Sequence, residues 1–264
     1  MAGLSKKVRE RFTKQVPTFQ KVLIGAKDRD VNESDTVTIV TDILAEVLGF
    51  AKYTEITGEH AIRGTFCDLA VQLEGRVRYL IEVKAVGIPL KDAHLRQALN
   101  YGANHGVPWV VLTNGVSWQI HRIRFEKPIS NDLVCAFEFL DLSARKPSDH
   151  NLLYLLSREG LAEAAIEGFH EHAQNVNRYV IGAILQSETV LTTLRRELKR
   201  VAPGTRVTVD EITTLLHEVF KREVVEGDAA EHARRRVSRA AARPRRQSRS
   251  NAPTVETTPA DGGC

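Results

Sequence analysis

Thr65 to Val86 reads TFCDLAVQLEGRVRYLIEVKAV, and its reading decides the fold. Thr65 to Leu73 and Val77 to Val86 have the apolar, β-branched character of strands, and Glu74-Gly75-Arg76 between them suits a tight hairpin. Side chains two apart on a strand share a face, so Glu82 and Lys84 point one way while Tyr79, Ile81 and Val83 point the other. Antiparallel pairing about Gly75 brings Asp68 near residue 82, within a residue or so of register. Two carboxylates and an ammonium are thus expected on one patch of a sheet.

Upstream, Asn32 is a good N-cap. Val37, Val40, Ile43, Leu44, Val47 and Leu48 then recur at helical spacing, and Gly49 closes the segment. Residues 1–30 look helical in places but carry few apolar positions, and are expected to be a helical extension. Lys52 to Thr57 suits a first strand. Downstream, a helix is expected from about Lys91 to Asn104, with Leu95, Ala98, Leu99 and Gly102 as its buried stripe. The run VPWVVLT (residues 107–113) suits a strand covered on both faces. Asn114-Gly115 is a turn, Val116 to Ile123 returns as a strand, and Leu133 to Leu140 suits another. The expected fold is α/β, a mixed sheet with helices against it over residues 31–145. A helical region over 146–226 follows, with helices at 151–157, 159–173, 175–186, 187–201 and 208–223. Arginine, proline, serine and threonine beyond about Gly227 point to a disordered tail over 227–264.

Charges on a buried strand are costly unless they are paired or metal-bound. Two close carboxylates repel, and magnesium, which favours oxygen ligands, would relieve that repulsion. The ion would stabilise charge on a phosphate and lower the pKa of a bound water, and Lys84 would orient that water or neutralise developing charge. An ExK tripeptide alone is expected about once in a chain of this length, and its bland reading is a strand-surface salt bridge. Gln97 and Tyr101 are four apart on the next helix, with His94 close to the same line. They either reach the edge of the patch or decorate an amphipathic helix. Glu33 opens the first helix and leans toward its apolar side. It is either a third metal carboxylate or a first-turn acid complementing the helix dipole.

The composition is that of an ordinary globular protein, 42% hydrophobic and 27% charged. No apolar run reaches the length of a membrane span, and the N-terminus lacks the apolar stretch of a signal peptide. A cytoplasmic protein with no membrane partner is expected. Cys67, Cys135 and Cys264 form no CxxC pair, and the first two suit small buried positions. The histidines form no convincing metal set. The net charge of +4 is uneven, because His232 to Ser250 holds eight arginines and no acid. Overall basicity therefore says little about the folded domain. The tail is either a solvated extension or a source of salt-sensitive DNA affinity.

The run ITGEHAIRGTFCDLAVQLEGRVRYLIEVKAVGIPLKDAHLRQALNYGANHGVPWVVLTNGVSWQIHRI resembles the N-terminal nuclease domain of type I restriction enzyme R (HsdR) subunits, over roughly Asn32 to Arg124. The Asp68 strand, Glu82-x-Lys84, the Gln97-x-x-x-Tyr101 helix and VPWVVLTNGVSW agree together. The resemblance implies a PD-(D/E)xK restriction-endonuclease-like fold and magnesium-dependent cleavage of DNA phosphodiesters, with manganese as the other usable ion. It makes Asp68 and Glu82 metal ligands, Lys84 the catalytic lysine, and Gln97 and Tyr101 the QxxxY element that supports DNA contact or cleavage. Glu33 matches the acidic position of the first helix. The chain departs from R subunits in having no GK dipeptide and hence no GxxxxGK[ST] phosphate loop, so no ATP site is expected. The expected function is a DNA endonuclease without a motor, in restriction or phage defence. The alternative is a catalytically silent protein that binds DNA or docks a partner. The C-terminal helices would then serve a second copy or a partner subunit.

Overall fold

The computed structural model describes residues 4–62 and 65–242, apart from the side chains of residues 59–62, 65, 66 and 97. Contacts divide the chain into two compact units, Met1–His172 and Ala173–Cys264.

The first unit is built on one six-stranded sheet whose spatial order follows the chain: β1 (Ile56–Ile62), β2 (Thr65–Leu73), β3 (Arg76–Val83), β4 (Trp109–Thr113), β5 (Ser117–Arg124) and β6 (Ser130–Glu138). Only β3 and β4 run parallel among these neighbours; the rest are antiparallel, so the sheet is mixed as expected. The β2–β3 hairpin closes on two residues, Glu74 (φ 54°) and Gly75 (φ 71°), the doubly positive backbone that matches strand twist. The first strand starts at Ile56 rather than Lys52, because residues 52–55 form turns. β3 ends at Val83, three residues short of the expected Val86, and β6 lies slightly earlier than expected.

Helices cover both faces. On one lie α1 (Lys6–Asp28), α2 (Glu33–Asp42) with a π-helical turn at Ile43–Val47, α4 (Pro147–Leu156) and α5 (Arg158–Ala162). They bury Phe12, Leu23, Leu44 and Leu153 against Val71, Tyr79, Ile81, Val111 and Trp118. On the other face α3 (Asp92–His105) packs Leu95, Ala98 and Tyr101 on Cys67, Leu80, Val110 and Leu112. A helix is needed between β3 and β4, since a parallel pair cannot be joined by a short turn. Trp109 and Trp118 are core residues, as expected.

α1 is the element whose weight the sequence understates. Val8, Phe12, Val16, Phe19, Leu23 and Ala26 recur every three or four residues and are all buried. That stripe is only about one residue wide, so composition hides it among charges. Arg11 ties the helix down, donating to Val47 O at 2.8 Å and pairing through both terminal nitrogens with Glu159 at 2.7 and 2.8 Å. Gly49 has φ 89°, and a Cβ there would lie 2.5 Å from the Arg11 guanidinium. Gln20 Nε2 donates to the carbonyls of Phe139, Leu140 and Leu142.

α6 (Ala165–Asn175) is separated from α5 at Glu163–Ala164, where Ala164 has φ 53°; a single helix over 159–173 is not formed. The second unit holds α7 (Arg178–Leu185), α8 (Glu188–Val201), α9 (Val209–Val219), α10 (Arg222–Val225) and α11 (Asp228–Ala241). Asn177 caps α7 by accepting from the Tyr179 and Val180 N–H groups, and Thr208 with Glu211 forms a capping box for α9. The segment 228–241, expected to be disordered, is helical. Its Ala230 and Ala233 are buried against neighbours that include α7, and its arginines take the remaining face. Small residues at helical spacing, invisible to an arginine count, account for the difference. The rest of the expected tail, with Cys264, lies outside the described residues. Among the described residues, no helix is long and apolar enough to cross a membrane.

If α1 is integral to the core, Phe12→Ala should cost about 3–5 kcal/mol, the usual penalty for emptying a buried phenylalanine site. Urea unfolding of the full chain measures this. A loss below about 1 kcal/mol would make α1 an appendage.

Candidate functional site

β3 is apolar toward the α1 side, through Tyr79, Ile81 and Val83, and on its α3 side it carries Leu80 followed by Glu82. The Glu82 side chain is 8% exposed. Lys84 stands one step beyond the strand. Its N–H still donates to Thr113 O at 2.8 Å, so the backbone stays in line with β4 and Lys84 emerges on the Glu82 side. Lys84 Nζ lies 2.9 Å from Glu82 Oε1 and 3.3 Å from Glu33 Oε2. Glu33 reaches it from the first turn of α2, where Asn32 Oδ1 accepts the Asp35 N–H at 2.9 Å and fixes the start of the helix.

Asp68 comes from β2. The pairs Val71–Tyr79, Ala70–Leu80 and Leu69–Ile81 bring Asp68 to the point where regular β2–β3 pairing ends. Cys67 and Ala70, three apart, both enter the small core under α3, so the alternation of β2 breaks around Asp68. Asp68 Oδ2 accepts the Val83 N–H at 2.6 Å, a short charge-assisted bond. The structure therefore brings Asp68, Glu82, Lys84 and Glu33 together at the end of β3.

Their electrostatics are coupled. Burial raises the Glu82 carboxyl above the ordinary glutamate range; the Lys84 hydrogen bond opposes that, while the charges of Asp68 and Glu33 add to it. Burial alone would lower Lys84, yet the hydrogen bond to Glu82 and the charges of Glu82, Glu33 and Asp68 raise it above the usual lysine value. Lys84 is therefore an ammonium at neutral pH and holds its proton firmly. The Cys67 thiol beside Asp68 is pushed up to about 12, by burial first and then by Glu82 and Asp68. It stays neutral and donates to Ile81 O at 3.1 Å.

The α3 residues are placed differently from one another. Tyr101 is 1% exposed, in the small core between α3 and the sheet rather than at the open patch. Its ring centroid lies 4.6 Å from that of His105, and burial raises its hydroxyl. Gln97 is on α3, but its side chain falls outside the described residues. His94 Nδ1 accepts the Lys91 N–H at 3.3 Å, which closes the start of the helix.

Three carboxylates supply hard oxygen donors, the chemistry that suits magnesium or manganese. Among the described residues, no three His, Cys, Asp or Glu side chains are gathered as a metal cluster; Glu33 and Glu82 are gathered around the Lys84 ammonium instead. The donor set fits such an ion in kind, with the lysine providing the positive charge that spaces the carboxylates.

Sequence reading placed β5 but passed over Gln119. Glu82 pairs with Leu112 and Leu112 with Gln119, so Gln119 lies in the Glu82 row on the α3 face of the sheet. His121 follows two residues on and is 3% exposed. The signal was present in SWQIHRI, where Gln119 and His121 alternate with Trp118, Ile120 and Arg122.

Residues 43–134 match the family model described as Type I restriction enzyme R protein N terminus (HSDR_N). The likeness read from the sequence holds over that stretch, which runs from the π-helical turn into β6 and takes in Asp68, Glu82, Lys84, Gln97 and Tyr101, but not Glu33. No curated protein and no solved structure matches the chain.

The coupling has a measurable sign. A carboxyl raised on folding binds its proton more tightly in the folded chain. Its contribution to stability therefore falls as pH rises from the ordinary glutamate value through the folded one. Lys84 offsets this for Glu82. Lys84→Met should cost about 2–3 kcal/mol at neutral pH, somewhat below the full penalty for breaking an enclosed pair, and less as the pH falls and Glu82 takes up its proton. Urea titrations at neutral and at lower pH measure the difference. An equal loss at both would mean that the lysine contributes by packing alone.

Proposed function

We propose that the first unit is a divalent-metal-dependent DNA endonuclease of the PD-(D/E)xK kind, related to restriction or phage defence. The observation that carries this reading is the gathering of Asp68, Glu82 and Lys84 around the end of β3, with Glu33 reaching Lys84 from α2. The match to the type I restriction R N-terminal family supports it. In the proposed assignment Asp68, Glu82 and Glu33 would hold magnesium, with manganese as a substitute. Once bound, such an ion supplies charge for the phosphate and a bound water of lowered pKa.

The chain's own residues then have distinct tasks. Lys84 keeps its proton, so it acts as a fixed positive charge toward the non-bridging phosphate oxygens and does not remove a proton from water. Glu82 is enclosed beside Leu80 and Leu112, where low access of water strengthens its hold on the Lys84 ammonium. Asp68 is aimed by the Val83 N–H, which holds its carboxylate against β3. Tyr101 supports the site from behind by packing α3 on the sheet, and Gln97 is assigned to DNA contact through the QxxxY spacing. An ATP-driven motor has no part in this reading.

A second reading, DNA binding or partner docking without cleavage, is favoured by one observation: the Lys84 ammonium already satisfies both Glu33 and Glu82. The C-terminal helices would then bind a partner or a second copy.

Plasmid nicking with and without Mg²⁺ or Mn²⁺ separates the two. Cleavage should require the ion, and Lys84→Ala and Asp68→Ala should each lower its rate by at least about 100-fold while circular dichroism stays unchanged. Wild-type rates in both variants would overturn the site assignment. DNA binding with no cleavage under either ion would establish the second reading.

A further inference from the structure

The α3 face of the sheet carries a second polar group beside the carboxylates. Glu82, Leu112 and Gln119 form one row across β3, β4 and β5. Two strand spacings separate Glu82 from Gln119, about 10 Å. Leu112 between them is fully buried and offers no polar atom.

Gln119 is held by a chain of hydrogen bonds whose directions can be worked out. Asn131 Nδ2 lies 3.0 Å from His121 Nδ1. The amide nitrogen can only donate, so Nδ1 accepts and carries no proton. The ring proton of a neutral imidazole is then on Nε2, which lies 3.3 Å from Gln119 Oε1 and donates to it. Burial lowers the His121 pKa, with the charge of Asp92, in the first turn of α3, opposing; the neutral ring follows. Gln119 thus uses its oxygen within the protein. Its Nε2 keeps two N–H donors, and the residue is half-buried.

We infer that Gln119 is a DNA-backbone contact, donating Nε2–H to a phosphate oxygen of a nucleotide adjacent to the one being cut, and that His121 and Asn131 are its positioning residues. This rests on the nuclease reading for its substrate. The chemistry of the donor favours an anionic oxygen. Gln119 stands two strands from Glu82, a backbone separation of about 10 Å, so the two residues fall against different parts of a bound strand. It seats the strand; it does not take part in bond cleavage.

The test is fluorescence anisotropy of a labelled DNA duplex with the full chain in calcium, alongside nicking kinetics in magnesium. Gln119→Ala should weaken duplex binding about tenfold, the equivalent of one hydrogen bond to a charged group, and raise KM while kcat changes little. Gln119→Glu should bind more weakly still, because a carboxylate would face the phosphate. His121→Ala should give a smaller loss, and the double variant His121→Ala/Gln119→Ala should bind no worse than Gln119→Ala alone. An unchanged urea midpoint for Gln119→Ala beside its loss of affinity would separate the contact from a merely structural role. Duplex affinities for Gln119→Ala and Gln119→Glu equal to wild type would overturn the inference and leave the nuclease reading intact. Weakened binding by both, with no nicking by wild type under Mg²⁺ or Mn²⁺, would support the contact and overturn the nuclease reading. Absence of any duplex binding by wild type would overturn both.

Discussion

The register of β2 against β3 is the constraint on which the site depends. A slip of one residue would turn every β3 side chain to the opposite face. Glu82 would then enter the core that holds Tyr79, Ile81 and Val83, and those three would face α3. The hairpin sets this register at its tip, through the two positive φ values of Glu74 and Gly75. A bulge between Val71 and Gln72 shifts it once. The result is fixed again at the far end by the Asp68–Val83 bond. Turn chemistry, apolar burial and a charged side chain all favour the same alignment, which is the consistency expected of a sequence that specifies one fold.

The opposite face of the sheet explains why the charged end can be tolerated. α1, α2, α4 and α5 bury a large apolar layer there, and Arg11 links α1 to the π-helical turn and to α5. That scaffold reaches the Lys84 ammonium through Glu33 and supports the strands that present the carboxylates. The smaller core under α3 has a different task. Its Leu80 and Leu112 flank Glu82 in the sheet, and its close packing leaves Glu82 partly stripped of water.

Much of this was legible from residues 65–86. Alternation on β3 fixed the side of Glu82 and Lys84, and Glu74-Gly75 located the turn. Asn32 and Gly49 marked the ends of the α2 segment correctly because cap and stop signals act locally. What stayed hidden depends on partners far away in sequence. The α1 stripe has no meaning until Leu153 and Phe139 are there to receive it. Residues 52–55 have strand-like character but lie in turns. Tyr101 sits on the line expected from its spacing from Gln97, but its depth is set by Cys67 and Leu80, which spacing cannot show. α11 was concealed by composition. Gln119 and His121 alternate plainly, yet their value emerges only once β4 places them in the Glu82 row.

Sheet order that follows chain order has a consequence for biosynthesis. Each strand, as it leaves the ribosome, finds its pairing partner already made, so the sheet can grow by addition at one edge with short loops to close. α1 emerges first and must wait longest. Arg11 and Glu159 are separated by 148 positions, so the clasp cannot close until nearly the whole first unit has been translated. Throughout that interval the Phe12–Leu23 stripe is a sticky surface on a nascent chain, and the window for misassociation is written into the topology itself.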